Sequence, residues 1–361
     1  MAKLFESITV RGLEVRNRIW VPPMCEYSCE NRDGVVGDWH LVHLGSMASG
    51  GAGLIIAEAT GVVAEGRISP WCPGIYNDEQ VVAWRRVTDF VHSQGAKIAL
   101  QLAHAGRKAS THREQSGSGS ISLADGGWQT VSSTAEAFDS LAAPRALEAH
   151  EIAVLVQAWA AAAARAIAAG FDAVEIHAAH GYLLHQFLSP LTNDRKDSYG
   201  GSLENRARFL LEIVTAIREV VPNEVPIFVR FSATDYAEGG VTPEEIATVA
   251  KWCADSGADL FDISTGGLIT GVKIPTGPGY QVAYAETVAE KVGQPVSAVG
   301  QITSALQAEQ ILESGQIAVV MIGRQSMRDP HFALRAAHEL GVEVDYWPIQ
   351  YNRAKWPKEV F

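Results

Sequence analysis

The chain has few cysteines, and the four it has (Cys25, Cys29, Cys72 and Cys253) form neither a CxxC pair nor a dense framework. A disulfide-stapled fold is excluded, and free thiols suit a reducing compartment. Basic excess is absent: 41 acidic residues against 29 Lys and Arg leave a formal charge of -12. That balance repels nucleic acid and anionic lipid, so neither nucleic acid nor membrane is an expected partner. No stretch reads as a membrane span, because the alanine-rich run 158–168 is short and carries Trp159 and Arg165 in a helical pattern. The start, Met1-Ala-Lys-Leu-Phe-Glu, has no apolar signal core, and a cytoplasmic location is expected. Also missing are a GxGxxG dinucleotide fingerprint, an HExxH zinc motif and any long linker rich in Pro, Gly and Ser.

What is present is a recurring unit. Five times a helical pattern ends at a glycine and a short apolar run follows: Gly51 before Leu54-Ile-Ile-Ala, Gly95 before Lys97-Ile-Ala-Leu-Gln, Gly170 before Ala173-Val-Glu-Ile, Gly257 before Leu260-Phe-Asp-Ile, and Gly315 before Ile317-Ala-Val-Val-Met-Ile. Glycine past a helix end takes the left-handed conformation that caps it, and the chain then enters a strand. Three further runs, Arg18-Ile-Trp-Val, Ile227-Phe-Val-Arg-Phe and Val296-Ser-Ala-Val, bring the strands to eight. Apolar strands alternating with amphipathic helices mean a parallel sheet covered on both faces. The expected fold is α/β, a single-domain (β/α)8 TIM barrel over residues 1–361, with a doubly wound open sheet in two domains as the runner-up. Ile8-Thr-Val and Leu13-Glu-Val, joined through Arg11-Gly12, read as an N-terminal β-hairpin cap that could close the barrel bottom. Helix starts are predicted at Ser202 and at Thr242-Pro243-Glu-Glu. About residues 104–147 form a long irregular stretch between strands three and four, and such stretches are usually lids or binding loops.

In a barrel, function gathers at the carboxyl ends of the strands. Strand one is followed by Pro23-Met24-Cys25-Glu26-Tyr27, strand two by Glu58-Ala59, and strand three runs through Gln101 to Arg107 and Lys108. Strand four delivers His177, His180 and Tyr182, and strand five contributes Arg230. Gly266-Gly267, Gly300 and Gly323 remove side chains where backbone amides must approach an anion, and Arg324 adds a bidentate donor. These positions predict a phosphate site after strands seven and eight. An arginine inside an apolar strand needs an acceptor, whether a ligand or a structural carboxylate. His177 and His180, three residues apart, could alternatively be metal ligands with a third from Glu58, His104 or Asp262, as in a metal-dependent barrel hydrolase.

Taken together these stretches resemble the Old Yellow Enzyme family of FMN-dependent ene-reductases, in the cysteine-containing subgroup that includes xenobiotic reductases and NADPH dehydrogenases. The resemblance runs over nearly the whole chain: Asn17-Arg18-Ile, Pro23-Met24-Cys25-Glu-Tyr27, Glu65-Gly66-Arg67-Ile68, Gln101-Leu-Ala-His104, His177-Ala-Ala-His180-Gly-Tyr182, Tyr199-Gly-Gly-Ser202-Leu-Glu-Asn205-Arg206 and Gly323-Arg324. It implies non-covalent FMN across the barrel mouth, bound by Pro23, Met24, Cys25, Ala59, Gln101, Arg230, Gly300, Gly323 and Arg324. It further implies NAD(P)H as hydride donor and small activated alkenes (enones, maleimides, nitroalkenes) as acceptors, in a ping-pong cycle. His177 and His180 would hold the activating oxygen, Tyr182 would act as the acid, Cys25 would tune the flavin, and Tyr27 and Lys108 would help position substrate. About residues 345–361 resemble a tail that carries Arg353 and Trp356 into a neighbour's pocket, implying a homodimer or a tetramer of dimers. The segment Thr111 to Gln129 is longer than in compact members, which bears on the pocket entrance. A non-catalytic flavin-binding barrel is the remaining alternative.

Overall fold

Eight parallel strands close on themselves in chain order: Ile19–Val21, Leu54–Gly61, Lys97–Ala103, Ala173–Ala178, Ile227–Ser232, Leu260–Ser264, Val296–Val299 and Val319–Met321, the last pairing with the first. The computed structural model describes residues 2–356, so the end of the predicted tail, residues 357–361, lies outside them. Every predicted strand is present, and the sheet is a closed barrel rather than the open sheet of the runner-up. Strand eight starts two residues later than expected, at Val319. The five predicted cap glycines all take positive φ: Gly51 at 96°, Gly95 at 70°, Gly170 at 92°, Gly257 at 110° and Gly315 at 83°.

Strand side chains alternate between the helix layer and the barrel interior. Outward residues such as Ile55, Ile98, Val174, Val229 and Phe261 pack with the surrounding helices in the main core. Inward residues Trp20, Leu54, Ala99, Ala173, Phe228, Leu260 and Val319 form a second apolar cluster with Val10, Leu13 and Val15 of the hairpin. The hairpin (Ile8–Val10 with Leu13–Val15) therefore plugs the barrel bottom. It is fastened there by Arg11, whose Nε donates to Asp259 at 2.8 Å, and by Gly12, where a Cβ would stand 2.7 Å from Glu224.

Ser202 and Thr242 cap their helices, each hydroxyl accepting from the third residue on. The alanine-rich run is one part of a longer helix, Ala149–Ala168, which by length and composition alone could cross a membrane. The helix exceeds the alanine run because it starts at Ala149 and takes in the apolar stretch Ile152-Ala-Val-Leu-Val ahead of it. In the fold, Trp159, Ala162, Ala163 and Ala166 of this helix are wholly buried against the barrel. The stretch 104–147 is largely irregular, as predicted, and holds three 3-10 turns and a two-stranded parallel pair, Val131–Ser132 with Arg145–Ala146.

Candidate functional site

The exit of strand four places its three polar side chains around one corner. The His177 ring packs edge-on to His180 (centroids 5.3 Å apart) and to Tyr182 (4.9 Å). His180 adopts φ +56°, uncommon for a residue with a Cβ, and Gly181 follows at +72°. Only glycine fits there, since a Cβ on Gly181 would stand 2.3 Å from the Gly267 carbonyl. The turn is held from below by His185, whose Nδ1 accepts from the Gly181 N–H at 2.9 Å while its Nε2 lies 2.9 Å from the buried Asp235. From above, Lys108 donates to the carbonyls of His180 and Gly267.

Hydrogen bonding assigns roles to the two rings. His177 Nδ1 accepts from the Ala179 N–H at 3.3 Å, so the neutral ring carries its proton on Nε2. His180 Nε2 lies 2.7 Å from Ser264 Oγ, at the end of strand six. Burial, followed by the charge of Arg230, holds both imidazoles well below the usual histidine range, so both are neutral near pH 7. Burial pushes the Tyr182 phenol up, with Cys25 adding to it, and pushes Lys108 down to about 8. This corner supplies hydrogen-bond donors and a protonated phenol, with no fixed charge on the rings.

The opposite side is cationic and open. A cavity of about 500 Å³ is lined by Arg230, Ser264, Tyr280, Gln281, Gly300, Gly323, Arg324 and Arg328 among others. Gly300 has φ +128°, and a Cβ there would press on Gln281 and Tyr280 at 3.1 Å. A Cβ on Gly323 would stand 3.3 Å from Pro22 and 3.6 Å from the Met24 sulfur, so the loops after strands one and eight meet at this point. The size suits a mononucleotide, and the bare backbone with two exposed arginines suits its phosphate. Arg230 reaches the cavity from inside the barrel, and its Nε lies 2.8 Å from Asp262 Oδ2. The two alternatives for this arginine thus coexist: it has a structural carboxylate and faces the site.

Between these sides lies the strand-one loop. Cys25, Tyr27 and Tyr182 pack with Ala59, Ala103, Ala105 and Cys72 in one small cluster. Glu58 accepts from the Glu26 N–H at 3.0 Å and holds this loop down. Burial, then the Glu58 charge, pushes the Cys25 thiol up to about 12, the opposite of an activated nucleophile. Gln101 is buried and donates to Glu175 Oε1 at 2.8 Å. The lid reaches the site through Arg107, which donates to the carbonyls of Glu136, Ala137 and Leu268, and through Phe138, whose ring lies 4.2 Å from the Lys108 ammonium.

The structure thus gathers Pro23, Met24, Cys25, Tyr27, Ala59, Gln101, Lys108, His177, His180, Tyr182, Arg230, Gly300, Gly323 and Arg324 at one mouth. It does not bring Arg353 and Trp356 there within the chain: Trp356 stacks on His338 at 4.9 Å, beside Trp347, and Arg353 is exposed. Among the described residues no group of three or more His, Cys, Asp or Glu is arranged to hold a metal, so the hydrolase alternative finds no third ligand for His177 and His180. Sequence reasoning missed Tyr280, Gln281, Arg328, His185 and Asp235. The one available signal was Gly279-Tyr-Gln immediately before the helix Val282–Val292, a helix entry with polar side chains near strand seven.

Residues 3–343 match the NADH:flavin oxidoreductase / NADH oxidase family. A protein named NADPH dehydrogenase from Listeria monocytogenes is 45% identical over 355 residues, covering 98% of this chain and 99% of its own. Among solved structures, morphinone reductase superposes with a TM-score of 0.78 at 31% identity, over 95% of this chain and 90% of its own. An old yellow enzyme homologue from Zymomonas mobilis superposes with a TM-score of 0.78 at 28% identity, over 99% of both chains.

Proposed function

The chain belongs to the NADH:flavin oxidoreductase / NADH oxidase family, the Old Yellow Enzyme family, and we propose that it is an FMN-dependent NAD(P)H dehydrogenase that reduces the C=C bond of α,β-unsaturated carbonyl and nitro compounds. FMN, when bound, would supply the hydride chemistry that links NAD(P)H to the alkene β carbon in a ping-pong cycle. Gly300, Gly323 and Arg324 would hold its phosphate, Pro23, Met24, Cys25 and Ala59 would face the ring, and Gln101 and Arg230 would meet its polar edge.

The observation that carries this reading is the neutral donor corner of His177, His180 and Tyr182 set across the mouth from a cationic cavity. His177 donates from Nε2 to the activating oxygen of an enone, maleimide or nitroalkene. The Ser264 hydroxyl donates to Gln281 Oε1 at 3.2 Å in the resting structure; turned to His180 Nε2, 2.7 Å away, it would leave the proton of neutral His180 on Nδ1 as a second donor. Two donors aimed where negative charge develops stabilise it as an oxyanion hole does. Tyr182 then transfers its phenolic proton to the α carbon as general acid. Tyr27 and Lys108 line the approach, and Lys108 ties the lid to the His180 turn. In a homodimer or tetramer of dimers, Arg353 and Trp356 of a second copy complete the pocket. Four free thiols suit work in the cytoplasm.

The test is direct. Purified protein should show flavin absorbance, alone or after added FMN, and should oxidise NADPH faster when cyclohexenone or maleimide is present. Protein that takes up no flavin refutes the reading; flavin bound with no acceptor-dependent turnover favours a flavin-binding barrel without catalysis.

A further inference from the structure

Between the apolar floor of the barrel and the site above it, three charged side chains share one enclosed layer: Glu175, Arg230 and Asp262, exposed by 0%, 6% and 0%. Asp262 has two partners. Its Oδ2 is ion-paired with Arg230 Nε at 2.8 Å, without hydrogen-bond alignment, and its Oδ1 accepts from Ser297 at 2.8 Å. Glu175 has one, the neutral amide of Gln101 on Oε1; its Oε2 is buried with no hydrogen-bond partner. Fully ionised, the layer would carry a net charge of minus one away from water, which costs several kcal/mol. Two buried carboxylates beside a single guanidinium relieve this by keeping one proton between them. The better-partnered Asp262 is the one to ionise.

We propose that Glu175 is a proton-binding site beneath the candidate flavin pocket, its Oε2 holding one proton near neutral pH so that the layer is electrically neutral and Arg230 keeps its field for the bound cofactor. The groups facing it are Gln101 from strand three, His177 two residues above on its own strand, Arg230 from strand five and Asp262 from strand six, with Phe228 opposite it in register. Burial, then the charge of Asp262, pushes Glu175 up to about 8, and Asp262 is itself raised by burial. Once Glu175 ionises, the layer turns negative and Arg230 is outweighed. Negative charge gained by a reduced flavin held by Arg230 would raise the affinity of Glu175 for its proton. Above the ionisation of Glu175, reduction by a two-electron donor such as NAD(P)H would then take up two protons, one with the electrons on the flavin and one from solvent on Glu175 Oε2.

Only the coupling to reduction rests on the FMN reading, and the experiment separates the two. In FMN-free protein, thermal unfolding is followed from about pH 6 to about pH 10. A carboxyl whose folded-state pKa is raised contributes stability that falls as pH rises between the ordinary carboxyl value and about 8 and is gone above it, so the wild type should lose stability from about pH 6 to about pH 8 and level off beyond. Glu175→Gln, which keeps the shape of the protonated acid, should flatten the loss; parallel profiles overturn the proposal. Wild-type infrared spectra should show a protonated-carboxyl band near neutral pH that disappears in alkali, and its absence at neutral pH overturns the proposal even where the variant does not fold. In FMN-loaded protein, the slope of midpoint potential against pH should double above the ionisation of Glu175 and stay single in Glu175→Gln. A single slope in the wild type, with the FMN-free result intact, overturns the coupling.

Discussion

On the side of strands seven and eight, the barrel mouth presents exposed arginines and glycine backbone; on the side of strand four, it presents the buried His177 and half-buried His180 rings, held neutral. The first suits a permanent anion such as phosphate, for which a full counter-charge is an advantage at every stage. The second suits an oxygen that is neutral on arrival and becomes negative only during reaction. A cation there would bind ground-state anions as well, whereas neutral donors in a water-poor corner act most on the transient charge. The same Arg230 serves both sides: it lines the cavity, and its charge helps keep the histidines unprotonated.

The sharpest way to break this comparison is to remove the proton and leave the ring. Tyr182→Phe should slow alkene reduction by about 10²–10⁴-fold in stopped-flow experiments while flavin reduction by NAD(P)H stays nearly intact. Equal losses in both half-reactions would remove Tyr182 from the role of acid. His177→Ala should cost about 10²–10³-fold in the alkene half-reaction, the scale of one oxyanion-hole donor. Because both histidines are held well below the usual range, that half-reaction should show no histidine ionisation between about pH 6 and about pH 8. An inflection there that disappears in His177→Ala would refute the neutral corner.

The cationic side should fail differently. Gly300→Ala adds a Cβ at 3.1 Å from two side chains on a backbone at φ +128°. A loss of about 1–3 kcal/mol in stability is expected, with faster FMN loss on gel filtration and little change in the rate of any flavin-loaded fraction. Cys25→Ala should have the smallest effect, a shifted flavin potential with turnover retained. Since the thiol is pushed up to about 12, wild-type Cys25 should also resist alkylation near neutral pH, and rapid labelling would contradict its inert character.

Much of this architecture could be read from local pattern. The Gly-then-apolar unit located the strands because a left-handed cap and the strand after it are decisions of a few neighbouring residues, and all five glycines adopt that conformation. The strand-end rule placed His177, Tyr182, Gly300 and Arg324 at one mouth for the same reason. What could not be read depends on partners far apart in the chain. His180 meets Ser264 across 84 residues, Gln101 meets Glu175 across 74, and the His185–Asp235 brace joins the short helix Leu183–Leu188 after strand four to the loop after strand five. The stretch 104–147 is largely irregular, as its composition suggests, and it is anchored by long-range bonds such as Arg107 to the Leu268 carbonyl, which local pattern does not reveal.

The sequence by itself determined the eight-strand repeat, the helix caps, the plugging hairpin and which side chains stand at the strand ends, since periodicity and capping are settled within a few residues. Only closure of the barrel decided that Glu175, Arg230 and Asp262 share one dry layer and that neutral donors face a cationic cavity. Inward-facing side chains of different strands acquire their neighbours, and their charge states, only when the sheet closes and excludes water from between them.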